Sequence, residues 1–166
     1  LSIGDMVHAN YYADFSCIIL ANQGRYEEAK RVATRLKQIA EEYQNPASLV
    51  FHHEGMTLAE FGQGNYEAAI KQAEHLIDAS RALGQSGVRN LYVSYLLRAL
   101  LKICNLDRAG EAVQEISVSD DATVKMPLQA APPNIAIVAW YCALADARHA
   151  GRMPRAMRSE SRPYVR

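Results

Sequence analysis

The sequence predicts an all-α protein, a right-handed α-solenoid of antiparallel helix-turn-helix repeats. Three observations predict it. Apolar residues recur every three or four positions along most of the chain, the period of one helix face. Short turn phrases bearing glycine punctuate those stretches. One six-residue phrase also returns at fixed distance. Gly24-Arg25-Tyr26-Glu27-Glu28-Ala29 comes back 40 residues later as Gly64-Asn65-Tyr66-Glu67-Ala68-Ala69, after another 40 as Cys104-Asn105-Leu106-Asp107-Arg108-Ala109, and 47 further on as Gly151-Arg152-Met153-Pro154-Arg155-Ala156. Self-similarity at a fixed period marks a repeat array. Such units stack because a single helix pair cannot bury its own apolar face.

The elements follow in order. Met6 to Ala21 reads as a helix closed by Asn22-Gln23-Gly24, glycine there being free to adopt the left-handed conformation that ends helices. From Tyr26 the apolar positions Ala29, Val32, Ala33, Leu36, Ile39, Ala40 and Tyr43 line one face, and Lys30, Arg31, Arg35 and Lys37 line the other. Glu27 and Glu28 sit in the first turn, where negative charge suits the helix dipole. Asn45-Pro46 ends this helix, since proline disfavours the α region for its predecessor. The second unit repeats the scheme with Ala47 to Phe61, the turn Gly62-Gln63-Gly64, and Asn65 to Leu83. The third runs Val88 to Ile103, then Leu106 to about Ile116. The rhythm breaks over 117–133, where Asp120-Asp121, Pro127 and Pro132-Pro133 predict an irregular insertion. Asn134 is placed to cap a helix from Ile135 to about His149, and Pro154 suits the first turn of a last one. The expected organisation is a repeat domain over 1–157, with units at about 6–44, 47–83, 88–116 and 134–157, followed by a basic tail over 158–166.

Composition narrows the function classes. Hydrophobic residues make up 49% and charged residues 22%, as in ordinary globular proteins. Lys+Arg and Asp+Glu both number 18, so no overall field favours nucleic acid, anionic membrane or acidic substrates. No apolar run approaches the roughly 20 residues of a membrane span. The residues Leu1 to Asn10 carry no secretory pattern. Leu1 stands where a methionine would begin a gene product, which points to a segment of a longer protein. Cys17, Cys104 and Cys142 are odd in number and far apart, the usage of reduced, cytoplasmic proteins.

The repeated phrases resemble the tetratricopeptide repeat (TPR) family, whose second helix typically begins Gly-x-Tyr-x-x-Ala. Gly24/Tyr26/Ala29 and Gly64/Tyr66/Ala69 match it closely. Ala33, Ala73 and Val113, then Leu36, Leu76 and Ile116, continue the pattern. In the first helices the small position falls on Cys17, Thr57, Leu97 and Leu144, where the two leucines depart from the family. The aromatic often found four residues earlier is present only as Trp140. The resemblance covers about residues 6 to 157, strongest in the first two units. Units of 40 residues, with phrases such as Ser80-Arg81-Ala82-Leu83-Gly84, look like those of large bacterial signalling proteins, maltotriose-type transcription activators among them.

Catalytic constellations are not visible. His52-His53-Glu54 lacks zinc-protease spacing, and neighbouring helix positions diverge by about 100°, so both histidines cannot chelate one ion. No G-x-S-x-G is present, and Gly62-Gln63-Gly64 serves as an interhelix turn rather than a phosphate loop. No enzyme activity, metal or cofactor is expected. Arg152, Arg155, Arg158, Arg162 and Arg166 lack a base-reading motif, and nucleic acid is not the expected partner.

The resemblance implies instead a concave groove lined by first helices. Its positions would carry Tyr11, Asp14 and Ile18, then Phe51, Glu54 and Leu58, then Leu91, Ser94 and Arg98, and finally Tyr141 and Arg148. Acids at one end and arginines at the other would orient a peptide or partner helix, its basic part near Asp14 and Glu54. A clamp for a C-terminal carboxylate is not expected, because Asp14 and Glu54 would repel it. The expected function is a non-catalytic interaction scaffold within a larger signalling or regulatory protein. Two alternatives stand beside it: dimerisation through an open array end, and sensing of a small effector stacked on Tyr11, Phe51, Tyr95 and Tyr141.

Overall fold

A computed structural model describes residues 3–85, 88–118 and 127–149. Those residues are all-helical: α1 (Ile3–Asn22), α2 (Tyr26–Glu42), α3 (Pro46–Gly62), α4 (Tyr66–Ala82), α5 (Arg89–Lys102), α6 (Leu106–Val118) and α7 (Pro127–His149). The helices end where the local chemistry requires. Asn45 caps α3, its side chain accepting from the Ala47 amide, with Pro46 at the first helical position.

The turns disclose a shorter period than the phrase does. Gly24, Gln44, Gly64, Gly84 and Cys104 all adopt left-handed φ, and they stand 20 residues apart. After each, the next amide bonds back across the helix end: Arg25 to Leu20, Asn45 to Ala40, Asn65 to Glu60, Gln85 to Ser80 and Asn105 to Leu100, at 2.9–3.1 Å. These are helix-terminating bonds that satisfy orphan carbonyls. Glycine takes such φ without strain, whereas Gln44 and Cys104 bear a cost of about 1–2 kcal/mol.

Each helix packs on its neighbour in sequence, and the odd helices also pack on one another, α1 on α3, α3 on α5 and α5 on α7. The even helices contribute alanine-rich stripes, with Ala29, Ala33 and Leu36, then Ala69, Ala73 and Leu76, then Ala109, Val113 and Ile116 all buried. The odd helices contribute Cys17, Thr57, Leu97 and Leu144, also buried. A β-carbon on Gly55 would sit 3.0 Å from Cβ and Sγ of Cys17 and 3.1 Å from Cβ of Ala33. The glycine lets α3 settle into the crevice between α1 and α2. Farther along α3, the Tyr26 ring lies over Gly62 so closely that a β-carbon there would overlap it.

One boundary differs from expectation. Helix α7 begins at Pro127, so Asn134 lies inside it rather than capping it, and 127–133 is helical rather than irregular. Proline fits the first turn of a helix, whose leading amides lack intrahelical partners in any case. At the other end α6 runs on through Val118, and residues 119–126 of the expected insertion, the final helix and the basic tail fall outside the described residues.

Replacing Gly55 by valine forces α3 away from Cys17 and Ala33. Overpacking of this kind costs about 1–3 kcal/mol. Urea unfolding is expected to show that loss, and an unchanged midpoint would contradict the close approach.

Candidate functional site

The odd helices α1, α3 and α5 form one face, and the residues predicted to line a groove divide there into three groups. Asp14, Glu54 and Ser94, equivalent positions 40 residues apart, are buried, with Asp14 7% and Glu54 4% exposed. Tyr11, Phe51, Leu58, Leu91 and Arg98 are exposed or half-buried. Tyr141 is exposed on α7, its ring against Trp140, while the Arg148 side chain lies outside the described residues.

The burial of Asp14 and Glu54 corrects the expected open acidic end. Because α3 approaches α1 closely, the two carboxyls meet in the seam between the helices. Tyr95 donates from its hydroxyl to Oε1 of Glu54 at 3.2 Å, and the buried Tyr92 ring lies beside that of Tyr95. Asp14 Oδ1 is buried with no hydrogen-bond partner among the described residues. Burial pushes the Asp14 carboxyl up to about 8, with the nearby Glu54 charge adding to the rise, and burial likewise raises Glu54 to about 7. Burial, then the same two carboxyls, push Cys17 up to about 12. Around neutrality this pair is substantially protonated. It cannot serve as the exposed anionic anchor for a basic ligand, nor as the source of repulsion that would exclude a carboxylate.

What this face does present lies nearer the C-terminal ends of α1 and α3. A cleft of about 250 Å³ opens there between Asn22, Tyr26, Leu58, Phe61, Tyr95 and Arg98. The Arg98 guanidinium carbon stands 4.8 Å from the centre of the Phe61 ring. A contact of this kind uses the face of the ring and consumes none of the guanidinium's N–H donors. Arg98 forms no ion pair among the described residues. Tyr11 and Phe51 extend the face, their rings 5.4 Å apart.

The structure thus gathers Leu58 and Arg98 into one cleft and pairs Tyr11 with Phe51. The four aromatics considered for effector stacking do not form one cluster, since Tyr95 turns to Glu54 and Tyr141 to Trp140. Sequence reasoning missed Tyr26, Phe61 and Asn22 as cleft residues. Tyr26 was legible only as packing, and Phe61 and Asn22 only as helix ends. It also missed that His53 and His75 meet, ring centres 5.3 Å apart. His52 lies against the Ala33 carbonyl and His53 against Gln72, each at 2.8 Å, and burial holds both below the usual imidazole range. No cluster of metal-ligating side chains occurs among the described residues, and no helix there is long and apolar enough to cross a membrane.

The carboxyl pair sets a pH dependence. Both groups titrate above their unfolded values, 3.8 for Asp14 and 4.5 for Glu54. The native state therefore holds more protons than the unfolded chain between about pH 4 and pH 8, and stability falls as pH rises through that window. Asp14→Asn is expected to flatten the fall, gaining about 1 kcal/mol or more over wild type near pH 8 and little near pH 4. Urea midpoints across pH check it, and identical profiles would contradict the buried pair.

No family model matches the chain, and no curated protein or solved structure is significantly similar to it, so its function is argued from the cleft's own residues.

Proposed function

We propose that this chain is a right-handed TPR-like array that acts as a non-catalytic protein-interaction segment, binding a short peptide across α1, α3 and α5. The array reading is supported by the repeated phrases, the 20-residue spacing of the turns and the neighbour-to-neighbour packing. The observation that carries the binding reading is Arg98, stacked on Phe61 beside a cleft of mixed polar and apolar lining and without an ion-pair partner among the described residues.

The chemistry of the face selects the ligand. At about 250 Å³ the cleft lies below the roughly 300–1,000 Å³ of small-molecule sites and suits one side chain. That size favours a peptide anchor over an effector molecule. Leu58, Phe61 and Tyr26 provide apolar contact for an aliphatic or aromatic residue, and Tyr11 with Phe51 continues that contact along α1 and α3. The Arg98 edge favours a carboxylate beside the anchor, from an acidic residue or a chain terminus. Aromatic and arginine side chains dominate binding energy at protein interfaces. The role within a larger signalling or regulatory protein rests on the likeness of the long units to those of bacterial signalling proteins.

A peptide library screened against the chain is expected to enrich sequences with an acid within a few residues of an apolar anchor. Arg98→Ala should weaken the selected peptides about tenfold or more. Phe61→Ala should do the same by removing the platform. Enrichment of basic peptides, or binding indifferent to both substitutions, would overturn the reading.

A further inference from the structure

The buried carboxyl pair and the Arg98 cleft are built by the same helices, one turn apart. On α3, Thr57 and Leu58 of the cleft follow Glu54 by a single helical turn, a rise of about 5.4 Å. On α5, Arg98 follows Tyr95 at the same interval. On α1, Ala21 of the cleft comes a turn after the buried Cys17. Tyr95 belongs to both places. It lines the cleft, and its hydroxyl donates to Oε1 of Glu54 at 3.2 Å. One wall of the cleft is therefore tied to the carboxyl pair by a hydrogen bond.

The seam is poorly furnished to hold anions. Asp14 Oδ1 is buried without a hydrogen-bond partner among the described residues. From α2 the seam meets Ala33 and Leu36, which carry no charge, and the cleft receives Tyr26. His52 and His53 of α3 turn instead to the Ala33 carbonyl and to Gln72. The titratable and charged groups that face the pair are Cys17 on α1 and Tyr92, Tyr95 and Arg98 on α5. Burial, then the nearby carboxyls, keep Cys17 and both tyrosines neutral beyond the range in which Asp14 and Glu54 ionise, and Arg98 stays cationic throughout. Rising pH thus changes the charge of this group at the carboxyls. Once ionised, the pair must either draw water into the seam, parting α1 from α3, or stay in place as buried negative charge. The first response shifts Glu54 and the Tyr95 wall bound to it. The second offsets the field of Arg98. Both weaken the cleft's hold on a carboxylate.

We propose that the Asp14–Glu54 pair is a proton-operated control of the Arg98 cleft, which holds an acidic–apolar peptide while the pair keeps its protons and releases it as they leave. The proposal rests on the peptide-binding reading given above and adds its regulation. Linkage makes the effect reciprocal, so a bound peptide retains protons on the pair. The sign also separates this control from simple ion pairing. A peptide carboxylate is already ionised above about pH 5 and an arginine never loses its charge, so their contact alone is flat from pH 6 to pH 9.

Calorimetry across that range tests the control. The probe is an acetylated, amidated seven-residue peptide with one aspartate and one phenylalanine two positions apart in a glycine–serine background. Wild-type affinity is expected to fall about tenfold or more from pH 6 to pH 9 at constant helicity. The Asp14→Asn/Glu54→Gln variant is expected to bind equally at both ends, and Asp14→Asn alone to show a reduced slope. A flat wild-type profile, or a slope that survives both substitutions, would overturn the proposal. NMR of the Phe61 and Tyr95 rings without peptide gives a second reading. Ring signals that move with the carboxyl midpoints support the control, and signals that ignore them overturn it. If the peptide binds at no pH while the rings titrate, the peptide reading falls and the proton control of the cleft stands.

Discussion

The closeness of α3 to the first helix pair at Gly55 governs the rest of this structure. A missing β-carbon lets the helix backbone settle against Cys17 and Ala33 at about van der Waals distance. The neighbouring residue, Glu54, is thereby carried into the seam beside Asp14, and Tyr92 and Tyr95 of α5 close over it from the other side. Interiors this dense do not yield to added volume without displacement. Thus one glycine places two carboxyls out of water, raises their proton affinity and brings the three odd helices together. Toward the end of α3, where the Tyr26 ring spreads over Gly62, the same tier opens into the cleft beneath Arg98.

Consequences for recognition follow from sign rather than quantity. Read as a string, the face carries acids in its first two units and an arginine in its third. Folded, the acids are buried and substantially neutral, and the surface charge left at the cleft is positive. The even helices hold many charges, but pairs such as Arg25–Glu28 and Arg81–Asp78 are solvent-exposed and of the kind that contributes little energy or specificity. Apolar contact and the Arg98 guanidinium, without an ion pair among the described residues, are therefore the features able to discriminate among partners. On the far side of α1 the reverse holds: Tyr12, Phe15 and Ile19 present area without charge.

Much of the architecture was legible because it is written in local periodicity. The helix boundaries from Met6 to Ile116 fall within a few residues of expectation, since turn phrases and apolar spacing act over one or two turns of chain. The alanine stripes of α2, α4 and α6 were equally readable. The 20-residue turn spacing was hidden, because Gln44 and Cys104 occupy left-handed positions without the glycine that signals them. The start of α7 was misplaced because Pro127, Pro132 and Pro133 read as breakers; Pro127 falls in the first turn, where a proline breaks nothing, and the helix runs on through Pro132 and Pro133. The site was less legible than the fold. Whether Glu54 points into a seam or into solvent depends on how near α1 comes, a tertiary distance set by Gly55 that no local pattern encodes. Phe61 became a platform only through Arg98, 37 positions away along the chain.

The most direct measurement is the titration of the Asp14 and Glu54 side-chain carboxyl carbons by NMR. If the odd helices form the packed tier described, both resonances change well above the ordinary carboxylate range, toward neutrality, and Glu54→Gln alters the Asp14 curve. If both titrate near pH 4 and independently, the acids face water, α3 does not approach α1 as Gly55 permits, and the account of the face fails.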